Sequence, residues 1–379
     1  MLNSPIRLGL IGLGEAAQSL HLPTLFHHPD KFCVTAVFDI SPTLVSEVCQ
    51  RYQVENGYHK VEEIVADDNV DALIVMSPDP LHFEHTKLAI EHNKHVLLEK
   101  PSCLLPRHVD ELIKLEEQHQ VSVTVGYMRV YAKAFSLAQH KLEELGEIKS
   151  VRVRDLQREG DHYLPQVSEL YYPDDHDKAQ IDHAKKAEQK QRQELLGSKA
   201  HSNLLWKAYR VLTGAAIHNL AALRHLIDSP KKVVSAFAHS SGEHIAMTLD
   251  YGSFFATYEI LIDNIPRVDA SIELTSETKR LKIHYPTPYI RNLPTTLEFQ
   301  SGEGHHPSET HGPFHQDQFD LELLHWHQTL VKGAPVLTGL KESQKDLKLV
   351  MQAIESIAYH LGIEDIASDN ATNGMGEHE

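Results

Sequence analysis

Short apolar runs alternate with amphipathic stretches over the first third of the chain. The pattern predicts strands at Ile6–Ile11, Cys33–Phe38, Asp71–Met76, His95–Leu98 and Val121–Val125. Helical periodicity falls between them, near Glu15–Leu20, Pro42–Tyr52, Lys60–Ala66, Leu81–His92 and Pro106–His119. Ser41 before Pro42 has the form of an N-cap followed by proline at the first helical position. Strands separated by helix-length segments predict βαβ units and a doubly wound parallel sheet covered on both faces.

Beyond Gly126 the grammar changes. In Lys149–Asp155, Val151, Val153 and Asp155 fall on one side and Arg152 and Arg154 on the other. The runs Val233–Ala238, Ile245–Tyr251, Phe254–Ile262, Val268–Leu274 and Arg280–Tyr285 then follow with short turns, as in an open, mainly antiparallel sheet. Helical patterns at Asn203–Ile227, Gln318–Val331 and Lys341–Leu361 would cover one face of it. The expected architecture is an α/β domain over 1–126 and an α+β domain over 127–365, with helix 341–361 packing back at their junction. The polar segment Glu159–Ala200, helix-forming over Lys178–Leu196, is read as a solvated excursion or as a lid over a cleft. The polar tail 366–379 is expected to be disordered.

Composition narrows the function classes. The chain has 379 residues, 41% of them hydrophobic, enough for a sizeable core, and no apolar run long enough for a bilayer span. The formal charge is −17, and Lys and Arg form no stripe, which argues against a nucleic-acid partner. Three cysteines without paired spacing and an N-terminus without a signal-peptide pattern lead us to expect a cytoplasmic protein. His305, His306, His311 and His315, with Glu303, Glu309 and Asp317 nearby, match no standard zinc spacing, so no metal is expected.

Gly12-Leu13-Gly14-Glu15-Ala16-Ala17 follows the first strand and opens a helix, as in the G-x-G-x-x-G/A dinucleotide fingerprint. Gly12 allows the tight turn, Gly14 lets backbone approach a pyrophosphate, and Ala17 lets the helix pack closely on the sheet. Asp39 ends the second strand, where a carboxylate can accept both hydroxyls of an adenosine ribose and repel a 2′-phosphate. NAD is therefore favoured over NADP.

Leu98-Glu99-Lys100-Pro101 closes the fifth strand, where open α/β sheets bind ligands. Together with the glycine motif, Ser77-Pro78, His82 and Gly126-Tyr127-Met128-Arg129, it resembles the Gfo/Idh/MocA family, which includes glucose–fructose oxidoreductase and inositol dehydrogenase. The resemblance implies a Rossmann domain and an open-sheet domain through which copies assemble as a homo-oligomer, dimer or tetramer. It implies hydride transfer between NAD(P) and a sugar, cyclitol or related polyol. Ser77, Pro78 and His82 would lie along the cofactor, Glu99 and Lys100 beside the nicotinamide ribose and substrate, and Arg129 near the domain junction. His218 matches the family's catalytic histidine, but Gly214 and Ala221 stand where the family carries acids.

The chemistry suits those residues. His218 can take the hydroxyl proton, and Lys100 can stabilise developing alkoxide charge. Asp155, Tyr285 and Tyr289 are candidate substrate contacts in place of the absent acids, and Arg129, with Lys100 and His218, is expected to contact substrate as well. Two other functions are compatible with the motifs: an NAD-retaining enzyme that cleaves glycosides through transient oxidation, and a non-catalytic nucleotide-binding regulator.

Overall fold

A computed structural model describes residues 1–302 and 308–363. The first domain runs β1 (Ile6–Ile11), α1 (Leu22–Phe26), β2 (Phe32–Phe38), α2 (Pro42–Tyr52), β3 (Asn56–Tyr58), α3 (Val61–Val65), β4 (Ala72–Val75), α4 (His82–Glu91), β5 (His95–Leu98), α5 (Pro106–His119) and β6 (Val123–Val125). Its sheet is entirely parallel, in the order β3-β2-β1-β4-β5-β6. Strand order reverses between β1 and β4, and a crevice opens at that switch point outside the strands' carboxyl ends. The central strands are buried on both faces, and every residue of β4 is inaccessible to solvent. α2 begins as its sequence predicts: Ser41 Oγ accepts the Leu44 N–H at 3.1 Å, with Pro42 at the first turn.

The second domain contributes α6 (Lys133–Leu145), β7 (Ser150–Gln157), α7 (Leu164–Val167), α8 (Lys178–Leu196), α9 (Asn203–Val211), α10 (Ile217–Ile227), β8 (Lys232–Ala238), β9 (His244–Asp250), β10 (Phe255–Ile262), β11 (Asp269–Thr275), β12 (Lys279–Tyr285), β13 (Thr295–Ser301), β14 (Ser308–Phe314), α11 (Gln318–Lys332) and α12 (Leu340–His360). Its eight-stranded sheet has the order β14-β13-β12-β11-β7-β10-β9-β8, antiparallel except where β10 pairs with β7. β7 alternates as read, with Val151, Val153 and Asp155 buried and Arg152 exposed. β13 and β14 were not expected. β13 buries only every second side chain, and β14, the edge strand, carries Gly312 and Pro313 and buries none of its residues, so neither shows a strong apolar run.

The last two helices return to the first domain. On α11, Leu323, Trp326 and Leu330 complete the core formed by Ile6, Leu8 and Phe32, with Trp326 stacked 6.1 Å from Phe32. α12 lies at the junction: Ser343 Oγ is 2.6 Å from Ser102 Oγ and 3.0 Å from the Tyr127 hydroxyl. Asp346 pairs with Arg224 of α10 through two hydrogen bonds of 2.9 and 3.0 Å. Packing from both sides thus fixes the domain angle that sets the crevice. Among the described residues no helix is long and apolar enough to cross a membrane. The tail 366–379 lies outside the described residues.

Candidate active site

The glycine loop meets its expected constraints. Gly12 has φ +91°, and a Cβ there would stand 2.7 Å from the Met76 carbonyl oxygen, so glycine is required. A Cβ on Gly14 would meet nothing within 4 Å, leaving backbone open to the crevice. Ala17 is fully buried under the following helix, which begins as a wide π-turn at Ala17–His21; Ala16 is half-buried. Asp39 is almost fully buried and is aimed by two backbone donors, Leu13 N–H at 2.8 Å and Ser41 N–H at 3.0 Å.

The loop after β4 is fixed from beneath. His82 lies 2.7 Å from both the Ser77 and Pro101 carbonyl oxygens, so it fastens that loop to the segment after β5. His85, missed in the sequence, holds Ser77 Oγ at 2.9 Å. Burial and the neighbouring His82 lower the His85 pKa to about 3, so its ring stays neutral.

Two cavities meet here. One, of about 560 Å³, has Gly12, Gly14, Asp39, Ser77 and Pro78 on one wall. Its other wall is the polar excursion, with Tyr171, Tyr172 and Ile181 facing inward. Both sequence readings of that segment hold in part, because α8 buries few residues yet closes the crevice as a strap. Gln18 and Tyr171 exchange side-chain-to-backbone hydrogen bonds of 2.9 and 3.1 Å, the Tyr172 hydroxyl donates to Glu15 at 2.9 Å, and Gln191 donates to the Pro80 carbonyl at 2.7 Å. The second cavity, about 480 Å³, is lined by Glu15, Glu159, Arg210, Gly214 and Tyr289. Arg210 borders both cavities and is paired with Asp79 at 2.6 Å. Its sequence signal was the spacing of four from Arg210 to Gly214 and again to His218.

Lys100 donates to the Gly214 carbonyl at 2.8 Å. Gly214 belongs to a second π-turn, Leu212–Ala216, inserted between α9 and α10, and such turns recur at functional sites. A backbone oxygen thus holds the lysine at the position where the resemblance calls for a carboxylate. His218 opens α10; it is nearly buried, and its Nδ1 has no hydrogen-bond partner. Burial first, then the charges of Lys100 and Arg129, push its pKa well below the ordinary value, leaving a neutral imidazole. Glu99 is bound by His21 at 2.8 Å and by the Lys100 N–H at 3.1 Å. Burial alone would raise the Glu99 pKa, but the hydrogen bond and charge of His21, with Lys100, bring it below normal.

Lys100 and His218 border neither cavity, and the same holds for Arg129, whose charge also acts on His218, and for Asp155 and Tyr285. The Arg129 guanidinium lies 3.3 and 3.5 Å from the Asp155 carboxylate and 5.1 Å from the centre of the Tyr285 ring. The Tyr258 hydroxyl is 3.2 Å from Asp155 Oδ2 and 3.0 Å from the Ala216 carbonyl, linking the pair to the π-turn. Burial raises the Asp155 pKa, with Arg129 offsetting part of the shift. Ala221 is fully buried and supplies no acid. Among the described residues no cluster of metal ligands forms; Glu303, His305 and His306 lie outside them.

Comparison with known proteins bears on the family and the fold. Residues 6–127 match the Gfo/Idh/MocA model, described as an oxidoreductase family with an NAD-binding Rossmann fold. An uncharacterized oxidoreductase of Synechocystis is 31% identical over 156 residues, 40% of this chain and 42% of the relative. The inositol 2-dehydrogenase/D-chiro-inositol 3-dehydrogenase of Halalkalibacterium halodurans is 30% identical over 45% of this chain and 47% of its own length. The chain therefore spans less than half the length of these curated relatives. The aldose-aldose oxidoreductase of Caulobacter crescentus superposes with a TM-score of 0.70 over 94% of this chain and 98% of its own, at 18% identity, a likeness of fold.

Proposed function

We propose that this chain, which belongs to the Gfo/Idh/MocA oxidoreductase family through residues 6–127, is an NAD-dependent oxidoreductase acting on a secondary hydroxyl of a sugar, glycoside or cyclitol. The observation that carries the reading is the hydrogen bond from Lys100, whose charge acts on His218, to the carbonyl of Gly214, a residue in the wall of the polar cavity. Gly12, Gly14, Asp39, Ser77 and Pro78 would hold the dinucleotide, and their open backbone and aimed carboxylate fit it. When bound, the nicotinamide supplies the carbon that accepts or returns the hydride.

The chain's own residues manage the proton and the substrate oxygen. Neutral His218 would accept the hydroxyl proton, and burial with the Lys100 and Arg129 charges, which lower its pKa, makes it a weak base for that step. Lys100 spends one N–H on Gly214 and keeps two for the oxygen as its charge grows. Tyr289 and Glu15, in the wall of the polar cavity, are placed for a ring bearing several hydroxyls. The open face of the second sheet is the surface through which copies would assemble. Adding NAD and a panel of polyols and aldoses tests the reading: reduced nicotinamide should accumulate with at least one of them, and silence across the panel would refute it. The strap favours a second reading, in which nucleotide stays bound and transient oxidation serves glycoside cleavage; sugar release without net reduction would identify it.

Two substitutions separate the parts. Asp39→Ala should weaken NAD by about tenfold, the loss of a charge-assisted hydrogen bond, and narrow the gap to NADP; calorimetric titration reads both. Gly214→Ala should raise thermal stability by up to about 1 kcal/mol and leave turnover within about threefold, because a Cβ there meets nothing and the acceptor is backbone. Thermal unfolding and steady-state rates check this pair of effects.

A further inference from the structure

We infer that Asp175, carried by the strap, is a second specificity-determining residue that excludes a 2′-phosphorylated nucleotide, an inference that rests on the crevice taking a nicotinamide dinucleotide. The start of α2 lies two residues past Asp39, next to where the adenosine ribose would sit. An unoccupied helix start of this kind attracts a phosphate: its free N–H groups and the helix dipole both favour negative charge, and here Ser41 and Thr43 add hydroxyls. Left alone, α2 would work against Asp39 by offering donors to the group that Asp39 repels.

The strap removes that contradiction. Asp175 Oδ2 accepts the Thr43 N–H at 3.0 Å and the Thr43 hydroxyl at 2.5 Å, and Oδ1 accepts the Ser41 hydroxyl. The donors a 2′-phosphate would use are therefore already engaged by a carboxylate. Hydrogen bonds from Ser41 and Thr43 lower the Asp175 pKa to about 2, so it is an anion throughout the working range. Its position is held from both sides: the Asp177 N–H donates to the Ile40 carbonyl at 3.0 Å, and Tyr171 is locked to Gln18. Its neighbours Pro173 and His176 line the same cavity as Asp39 and Ile40. A phosphate of charge about −1.5 to −2 would meet two carboxylates and no free donor at α2, whereas a bare 2′-hydroxyl meets no such penalty.

Neither the glycine motif nor Asp39 points to this residue, because Asp175 comes from the other domain, 136 positions further along the chain. The test is a calorimetric titration of NAD and of NADP into the full chain and into Asp175→Asn and Asp175→Ala, with circular dichroism as the check on folding. The wild type should bind NAD and prefer it. Both variants should tighten NADP by about tenfold, the scale of one recovered set of charge-assisted hydrogen bonds, with NAD changed less than about threefold. Asp175→Asn keeps the size of the side chain and so serves if the alanine variant loosens the strap. NADP affinity unchanged in a folded variant, or equal weakening of both nucleotides, would overturn the inference and leave Asp175 as a strap anchor. A wild type that binds both nucleotides equally would overturn the inference alone, and one that binds neither would overturn the function proposed above as well.

Discussion

Lys100→Met should lower turnover by about a thousandfold while leaving NAD affinity within about threefold, the scale expected when a donor aimed at developing charge is removed. Methionine keeps the length of the side chain and loses every N–H. The Gly214 carbonyl then loses its donor, and under the proposed function the substrate oxygen would lose the ammonium that steadies it. Nucleotide binding should survive because the glycine loop and Asp39 do not depend on Lys100. Steady-state rates beside calorimetric titration give both numbers, and near-normal turnover would remove Lys100 from the chemistry.

Arg129→Met should destabilise the chain by about 3 kcal/mol at neutral pH, because it strands the buried carboxylate of Asp155 without its counter-charge. The pH dependence has a definite sign. Burial already raises the Asp155 pKa above that of an unfolded aspartate, so protonation favours the folded state. The stability that group contributes is complete below the ordinary aspartate range and is lost as pH rises through the raised folded value. Without Arg129 the folded pKa rises further, so the deficit is largest at neutral pH and shrinks on acidification. Chemical unfolding of both proteins at several pH values reads the difference. A deficit that grew toward acid would contradict the buried-pair account.

Both of these residues belong to motifs legible in the sequence, whereas their partners were not. β4 reads as an unbroken apolar run because both of its faces are covered, and the turn at Gly12 is legible because only glycine fits there. The strap was ambiguous for a physical reason: α8 buries only Gln191 and Leu196, so its polar sequence looks solvated whether or not it closes a cavity. α11 shows a helical period but not its destination, since Trp326 would suit either core. The acceptor for Lys100 left no mark at all, because it is a main-chain oxygen exposed by a π-turn. Sequence comparison at Gly214 shows only a missing acid, and the replacement is visible in the backbone alone.

Isotope transfer tests the central claim most directly. A polyol or sugar drawn from the substrate panel, carrying deuterium on the oxidised carbon, is incubated with the protein and NAD, and the nucleotide is recovered for mass spectrometry. Direct hydride transfer beside Lys100 and His218 predicts one deuterium on the nicotinamide ring, appearing about a thousandfold more slowly when Lys100→Met replaces the wild type. Unlabelled nucleotide from the wild type, or an undiminished labelling rate with Lys100→Met, would contradict the account.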